Sequence, residues 1–250
     1  MFGLRKWRIV SLNLILKGRL KLLADKVPKC NVVADIGTDH AHLPIYLIQQ
    51  GICKKAIASD VKTGPVEFAN KNINTNKLND KIETRLGNGL DTIAENEADV
   101  IIIAGMGGSL ISEILEANVQ KATKVSALIL QPMNDLDVIR KWLYDNKFDI
   151  YDEELVVEGE KFYFVFAAKY DGKSKAYQEF HLQVGEKLIQ KKDPLLLPYC
   201  QMKIRQLDSV LTQLGDLEDN SQLIDIYSAL KKDYVDLMAE FSIQDSEVKS

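Results

Sequence analysis

The residues able to do chemistry cluster just after short apolar runs, and the first cluster reads Asp35-Ile36-Gly37-Thr38-Asp39-His40-Ala41-His42-Leu43-Pro44. Two carboxylates and two imidazoles surround Gly37, which lets the backbone pass close to a bound molecule where a Cβ would intrude. This is not the Gly-x-Gly-x-x-Gly of a dinucleotide site. Asp39 stands where a second glycine would approach a pyrophosphate, and a carboxylate there repels phosphate. A nucleoside cofactor with an amino group and no phosphate removes that conflict, and S-adenosylmethionine is such a molecule.

Further groups follow at the same kind of position. Asp60 closes the second apolar run, about 25 residues after Asp35, where an acid can accept both hydroxyls of a ribose. Gly87-Asn88-Gly89 closes the third, with an amide that can pair with an adenine edge. The fourth ends in Ala104-Gly105-Met106-Gly107-Gly108, whose three glycines bring backbone groups close to something flat or bulky. Leu130-Gln131-Pro132-Met133-Asn134 follows the fifth; Gln131 either faces a base or caps a turn. The Asn/Asp-Pro-Pro-aromatic loop used by methyltransferases of exocyclic adenine nitrogens is not present after the fourth run, which argues against that chemistry.

These loops can meet only if the runs before them are neighbouring parallel strands. Residues 32–36, 56–60, 82–86, 100–104 and 127–130 are near-continuous apolar stretches, suited to a sheet covered on both faces. Helical spacing fills 65–74, 109–117 and 136–144. The alternation predicts an α/β, doubly wound, Rossmann-like sheet. Residues 148–157 and 161–169 then flank Glu158-Gly159-Glu160 as a hairpin, so the last strands should be antiparallel. After a linker at Asp171-Gly172-Lys173-Ser174, apolar spacing from Ile204 to Leu214 and from Leu223 to Met238 predicts two antiparallel helices. The expected division is 1–170, a catalytic domain with a basic N-terminal helix, and 171–250, a coiled-coil-like helical arm.

Bulk composition sets outer limits. Of 250 residues, 46% are hydrophobic and 27% charged, as in ordinary globular chains, which argues against a mostly disordered one. The net charge of -4 means that any nucleic-acid contact needs a local basic patch. The densest such stretch is Arg5, Lys6, Arg8, Lys17, Arg19, Lys21, Lys26 and Lys29 against Asp25 alone, a phosphate-contacting face in which Arg8, Lys17 and Arg19 are the candidates. Residues 9–16 read as part of an amphipathic basic helix: Asn13 interrupts the run, Lys17 ends it and no small-residue cleavage site follows. The run is too short to span a bilayer. Three cysteines without a CxxC pair fit free thiols in a reducing, cytoplasmic compartment, and three histidines assemble no metal-ligand pattern.

Taken together, the segments ADIGTDHAHLP, ASDVKTGP, RLGNGL, IAGMGG and LILQP resemble those of the bacterial tRNA (adenine-N1)-methyltransferases of the TrmK type, which modify adenine 22. The similarity spans about residues 17–169. Departures fall at His42, Asn88 and Met133, where the family often has an aromatic residue, Asp and Asn. The resemblance implies a class I methyltransferase sheet with a C-terminal coiled-coil-like domain. It implies S-adenosylmethionine held by Asp35, Gly37, Asp60, Val61, Asn88, Gly89, Ala104, Gly105 and Met106, and a tRNA substrate touched by Arg8, Lys17, Arg19, Gln131 and Pro132. Asp39 is the expected catalytic carboxylate, with His40 and His42 orienting the base. No metal and no membrane are expected, and the chain is expected to act as a monomer. Two alternatives stand beside this: a methyltransferase for a different RNA site or a small molecule, and a non-catalytic S-adenosylmethionine- or RNA-binding module.

Overall fold

Isoleucines 101, 102 and 103 and Val100 are wholly removed from water, and alternate members of this run serve two different cores. In the computed structural model, which describes residues 14–215 and 220–247 with side chains through 241, Ala34, Ile36, Ile101, Ile103, Leu128 and Leu130 enter one core. Val33, Val100, Ile102, Ala127 and Ile129 enter the other. A strand with period two and no polar face can end up only in the middle of a sheet sandwiched by helices.

The chain begins with α1 (Gly18–Lys26), β1 (Cys30–Ile36), α2 (His42–Gln49), β2 (Cys53–Asp60) and α3 (Thr63–Thr75). It continues with β3 (Ile82–Leu86), a 3-10 turn (Gly89–Thr92), β4 (Val100–Met106), α4 (Gly108–Ala117) and α5 (Val119–Ala122). Then come β5 (Ala127–Pro132), α6 (Leu136–Asp145), β6 (Phe148–Glu158) and β7 (Lys161–Tyr170). The remainder is α7 (Glu179–Val184), α8 (Glu186–Lys191), α9 (Leu196–Gly215) and α10 (Ser221–Glu247).

One seven-stranded sheet has the order β3-β2-β1-β4-β5-β7-β6. β1 to β5 pair in parallel, and β7 runs against both of its neighbours. The hairpin therefore reverses β7 alone, while β6 returns to the common direction. The strand order reverses between β1 and β4, so their C-terminal ends open a crevice where ligands of such sheets bind. Cys30 and Cys53 face each other across β1 and β2 as free thiols with their sulfurs 3.0 Å apart. No described helix is long and apolar enough to cross a membrane.

The helical reading of the residues before α1 needs correction. Residues 14–17 are not helical: Gly18 has a φ of +51°, which stops α1 from extending upstream. Of the described bases of this stretch, Lys26 pairs with Asp152 and Glu154 and Arg19 with Glu158, all acids of β6. Lys21 pairs with Asp25. The paired helices do form, but α9 starts eight residues earlier than the spacing from Ile204 suggested. Lys231 bridges to Asp208 across the pair. Leu207, Tyr234, Leu237 and Phe241 are buried in the first core, whereas Leu223 and Ile226 near the start of α10 are exposed.

The joint is electrostatic. Arg140 on α6 and Glu153 on β6 are both buried, and the guanidinium donates to the carboxylate from Nε at 2.9 Å and Nη2 at 2.5 Å. Its remaining donors reach the carbonyls of Leu182 and Val184 in α7, and its plane lies over Phe164 and Phe166. We predict that Arg140→Ala destabilises the fold by about 3–5 kcal/mol, because it strands a buried carboxylate. The double change Arg140→Met with Glu153→Leu should cost less than Arg140→Ala alone. Urea unfolding of the two variants measures the difference.

Candidate active site

The loops that leave β1, β2, β3 and β4 converge at the crevice. After β1, the backbone N–H groups of Gly37 and Thr38 both donate to the Ser59 carbonyl at 2.8 Å, which ties this loop to β2. The Gly87 N–H donates to the Asp60 carbonyl at 3.0 Å and ties in the loop after β3. The result is two cavities that share Gly37.

The larger, about 420 Å³, is lined by Asp35, Gly37, Asp39, His40, His42, Ala104, Gly105 and Gln131, with Arg19 of α1 on its far side. The smaller, about 130 Å³, is lined by Asp60, Val61, Asn88, Gly89 and Met106, together with Leu110 and Ile114 of α4. The Met106 methyl lies so close over Gly37 that a Cβ there would come within 2.0 Å of it. A Cβ on Gly105 would instead project into open space.

The acids differ in character. Asp35 is buried, and burial pushes its pKa up to about 6; the Asp60 charge adds to the shift and a hydrogen bond with Thr38 opposes it. A carboxylate held this way is improved by a nearby cation. Asp60 accepts the Lys62 N–H at 2.7 Å on Oδ1. Asp39 is exposed, with His40 Nε2 3.2 Å from its Oδ2. The rings of His40 and His42 stack at 5.3 Å, and the Phe68 ring of α3 lies tilted against His40 at 5.6 Å. Partial burial and the His40 neighbour lower the His42 pKa. His40 is not a helix cap: α2 starts at His42 after Ala41, and the His40 carbonyl accepts from Asn72.

Several sequence expectations are refined here. Gln131 lies on the floor of the larger cavity, with its oxygen 3.5 Å from Arg19 Nη1 and its amide bound to the Pro132 carbonyl. Pro132 lines neither cavity and faces a third one. Lys17 is exposed just before α1, outside the lining of both cavities; Arg8 lies outside the described residues. The glycine cluster after β4 divides its work. Gly105 borders the cavity, but Gly108 packs on the Asp135 backbone, where a Cβ would approach to 2.1 Å. Phe68 and the α4 residues Leu110 and Ile114 were not anticipated, because they sit mid-helix with no local signature. Among the described residues, no group of three or more His, Cys, Asp or Glu could hold a metal ion.

A crevice at the β1–β4 switch, with an acid ending β2 and glycines beside it, is the layout of a nucleoside-cofactor site. The methyltransferase-domain family matches residues 16–166, which gives the class. Within it, a tRNA (adenine(22)-N(1))-methyltransferase of Bacillus subtilis is 37% identical over 214 residues, covering 84% of this chain and 90% of that relative. The crystal structure of the B. subtilis M1A22 tRNA methyltransferase TrmK aligns with a TM-score of 0.81 at 34% identity, over 90% of this chain and 99% of that one. TrmK of M. capricolum, solved with S-adenosyl-homocysteine, aligns at 0.78 and 28% identity, over 89% and 98%. The chain belongs to the tRNA (adenine(22)-N(1))-methyltransferase family.

The raised pKa of Asp35 has a signed consequence. The folded state holds this proton more tightly than the unfolded chain, where an aspartate titrates near about 3.9. Stability should therefore rise as pH falls from about 6 towards about 4 through this group. We predict that Asp35→Asn removes that contribution, so that variant and parent melting temperatures diverge most above pH 6, with the variant higher. Thermal melts between pH 4 and 7 check it.

Proposed function

We propose that this protein transfers a methyl group from S-adenosylmethionine to N1 of adenine 22 in tRNA. The observation that carries the reading is the convergence of four strand-end loops on two cavities joined at Gly37, in a chain of this family. We assign Asp60, Val61, Asn88, Gly89 and Met106 to the adenosine half, since a carboxylate and an amide beside apolar walls suit a ribose and a flat base. Asp35, Gly37, Ala104 and Gly105 take the amino-acid half, where a buried carboxylate favours an ammonium group. The absence of a phosphate in this cofactor agrees with Asp39 at the mouth of the loop.

When bound, S-adenosylmethionine supplies a methyl group on a sulfonium sulfur, which N1 of the adenine takes through its lone pair as the C–S bond breaks. N1 carries no proton, so no residue has to act as a base before attack. Asp39 stabilises the positive charge that grows on the adenine. The stacked His40 and His42 rings, with Phe68 against His40, orient an extruded base. Extrusion from a stem costs a few kcal/mol and draws on contacts elsewhere on the tRNA. Lys17 and Arg19 are the described members of the N-terminal basic stretch for this role, with Arg8 outside the described residues. Gln131 backs the cavity, and Pro132 contacts the RNA from the neighbouring face. Residues 1–170 form the catalytic domain and 171–250 a helical arm, acting as a monomer in the cytoplasm.

The decisive measurement is methylation of unmodified tRNA followed by nucleoside mass spectrometry. It should yield 1-methyladenosine at position 22; N6-methyladenosine, or unlabelled RNA, would refute the reading. Asp60→Ala should weaken cofactor binding roughly 10- to 100-fold in calorimetry, the loss of charged hydrogen bonds worth about 1.5–3 kcal/mol. Asp39→Ala should lower turnover by roughly tenfold while leaving cofactor affinity within about twofold; equal losses in both would make Asp39 a cofactor ligand.

A further inference from the structure

A third cavity, about 520 Å³, opens between the end of β5, the start of α6, the start of β7 and the first turns of α9. Its size falls within the roughly 300–1,000 Å³ of small-ligand sites. It is separated from the larger cofactor-side cavity by side chains in direct contact. Arg19 lines the larger cavity. Its Nη1 donates to Met133 Sδ at 3.4 Å, and its guanidinium lies over the Tyr163 ring at 5.2 Å. Met133 and Tyr163 both line the third cavity.

The lining is aromatic, amide-bearing and charged. Tyr163, with Phe162, Phe164 and Tyr199, gives aromatic surface. Gln183 and Gln206 offer side-chain amides that make no hydrogen bond to any other described residue. Lys203 is half-buried in α9, and no carboxylate of a described residue lies within ion-pair distance of its ammonium. Burial lowers its pKa, and only Asp137 counters that. An ammonium partly withdrawn from water and left without a partner favours an incoming anion. Asp135 is engaged by the Ser109 hydroxyl, while Asp137 and Glu160 also face the cavity. Such mixed charge does not suit a long phosphate backbone. Aromatic surface, amides for a base edge and two lysines without an ion pair among the described residues, Lys203 half-buried and Lys161 at the rim, match a single nucleotide.

We propose that this cavity holds one nucleotide of the substrate RNA adjacent to the methylated one, with its base against the aromatic surface and glutamines and its phosphate at Lys203. The assignment rests on the tRNA-methyltransferase reading above. It gives the extruded adenine a second anchor, with two consecutive nucleotides held on either side of the contact of Arg19 with Met133 and Tyr163.

The test pairs protein variants with altered tRNAs. Gln183→Ala with Gln206→Ala should lower kcat/KM for intact tRNA about tenfold. That penalty should shrink to less than twofold on tRNA made abasic at position 21 or at position 23, whichever base the cavity takes. Lys203→Ala should reduce the slope of log kcat/KM against log salt by about one, the signature of a lost phosphate contact. S-adenosylmethionine affinity by calorimetry and the melting temperature should stay at parent values, which separates a lost contact from a damaged fold. Penalties that persist in full on both abasic tRNAs, or no penalty on intact tRNA, would overturn the proposal while leaving the catalytic reading intact. Failure of the parent protein to methylate adenine 22 would overturn both.

Discussion

Placing an arginine and a glutamate where neither touches water costs several kcal/mol per charge unless each donor finds an acceptor. Arg140 meets that condition by bonding Glu153 and two carbonyls of α7 at once. The constraint is directional, because a guanidinium fork fixes angles as well as distances. It locks α6, the β6 strand and the entry to the C-terminal helices into one arrangement. The first turns of α9 consequently border the same edge of the sheet at which β5 ends. The position of the helical pair relative to the cofactor crevice is thus set by a buried ion pair as well as by apolar contact.

The crevice itself follows from strand order. Reversal between β1 and β4 leaves their ends uncovered, and the hydrogen bonds from Gly37 and Thr38 to Ser59 pull the first loop over β2. Within this frame the carboxylates take different roles by position. Asp35 is withheld from solvent and favours a cation, Asp60 is partly fixed by the Lys62 N–H, and Asp39 stays at the open mouth. Three acids in one chemical class thereby differ in burial, hydrogen bonding and access to solvent.

Much of this was legible in the chain, for identifiable reasons. Strands such as 100–104 are buried on both faces and read as unbroken apolar runs, so they and the loops after them could be placed. α2 went unread because His42-Leu43-Pro44-Ile45-Tyr46-Leu47-Ile48 is apolar nearly throughout and shows no polar face. α7 and α8 are each six residues long, too short for a period to register. The basic stretch before residue 30 overstated the free charge, since its partners on β6 lie more than a hundred residues away. The glycines at the end of β4 look alike in sequence, and only the packing of Gly108 on Asp135 separates a structural glycine from one bordering the cavity.

The helix α1 roofs the larger cavity with Arg19, Leu20 and Leu23 and rests on β5, β6, β7 and α2. It is made before any strand of the sheet, yet three of its four supports, β5, β6 and β7, are the last strands to follow. At about 5–20 residues per second, the interval between synthesis of the roof and of its walls is on the order of ten seconds. During that time the nascent chain can carry four of the parallel strands, with every residue of the smaller cavity already made, and still have no roof over the larger one.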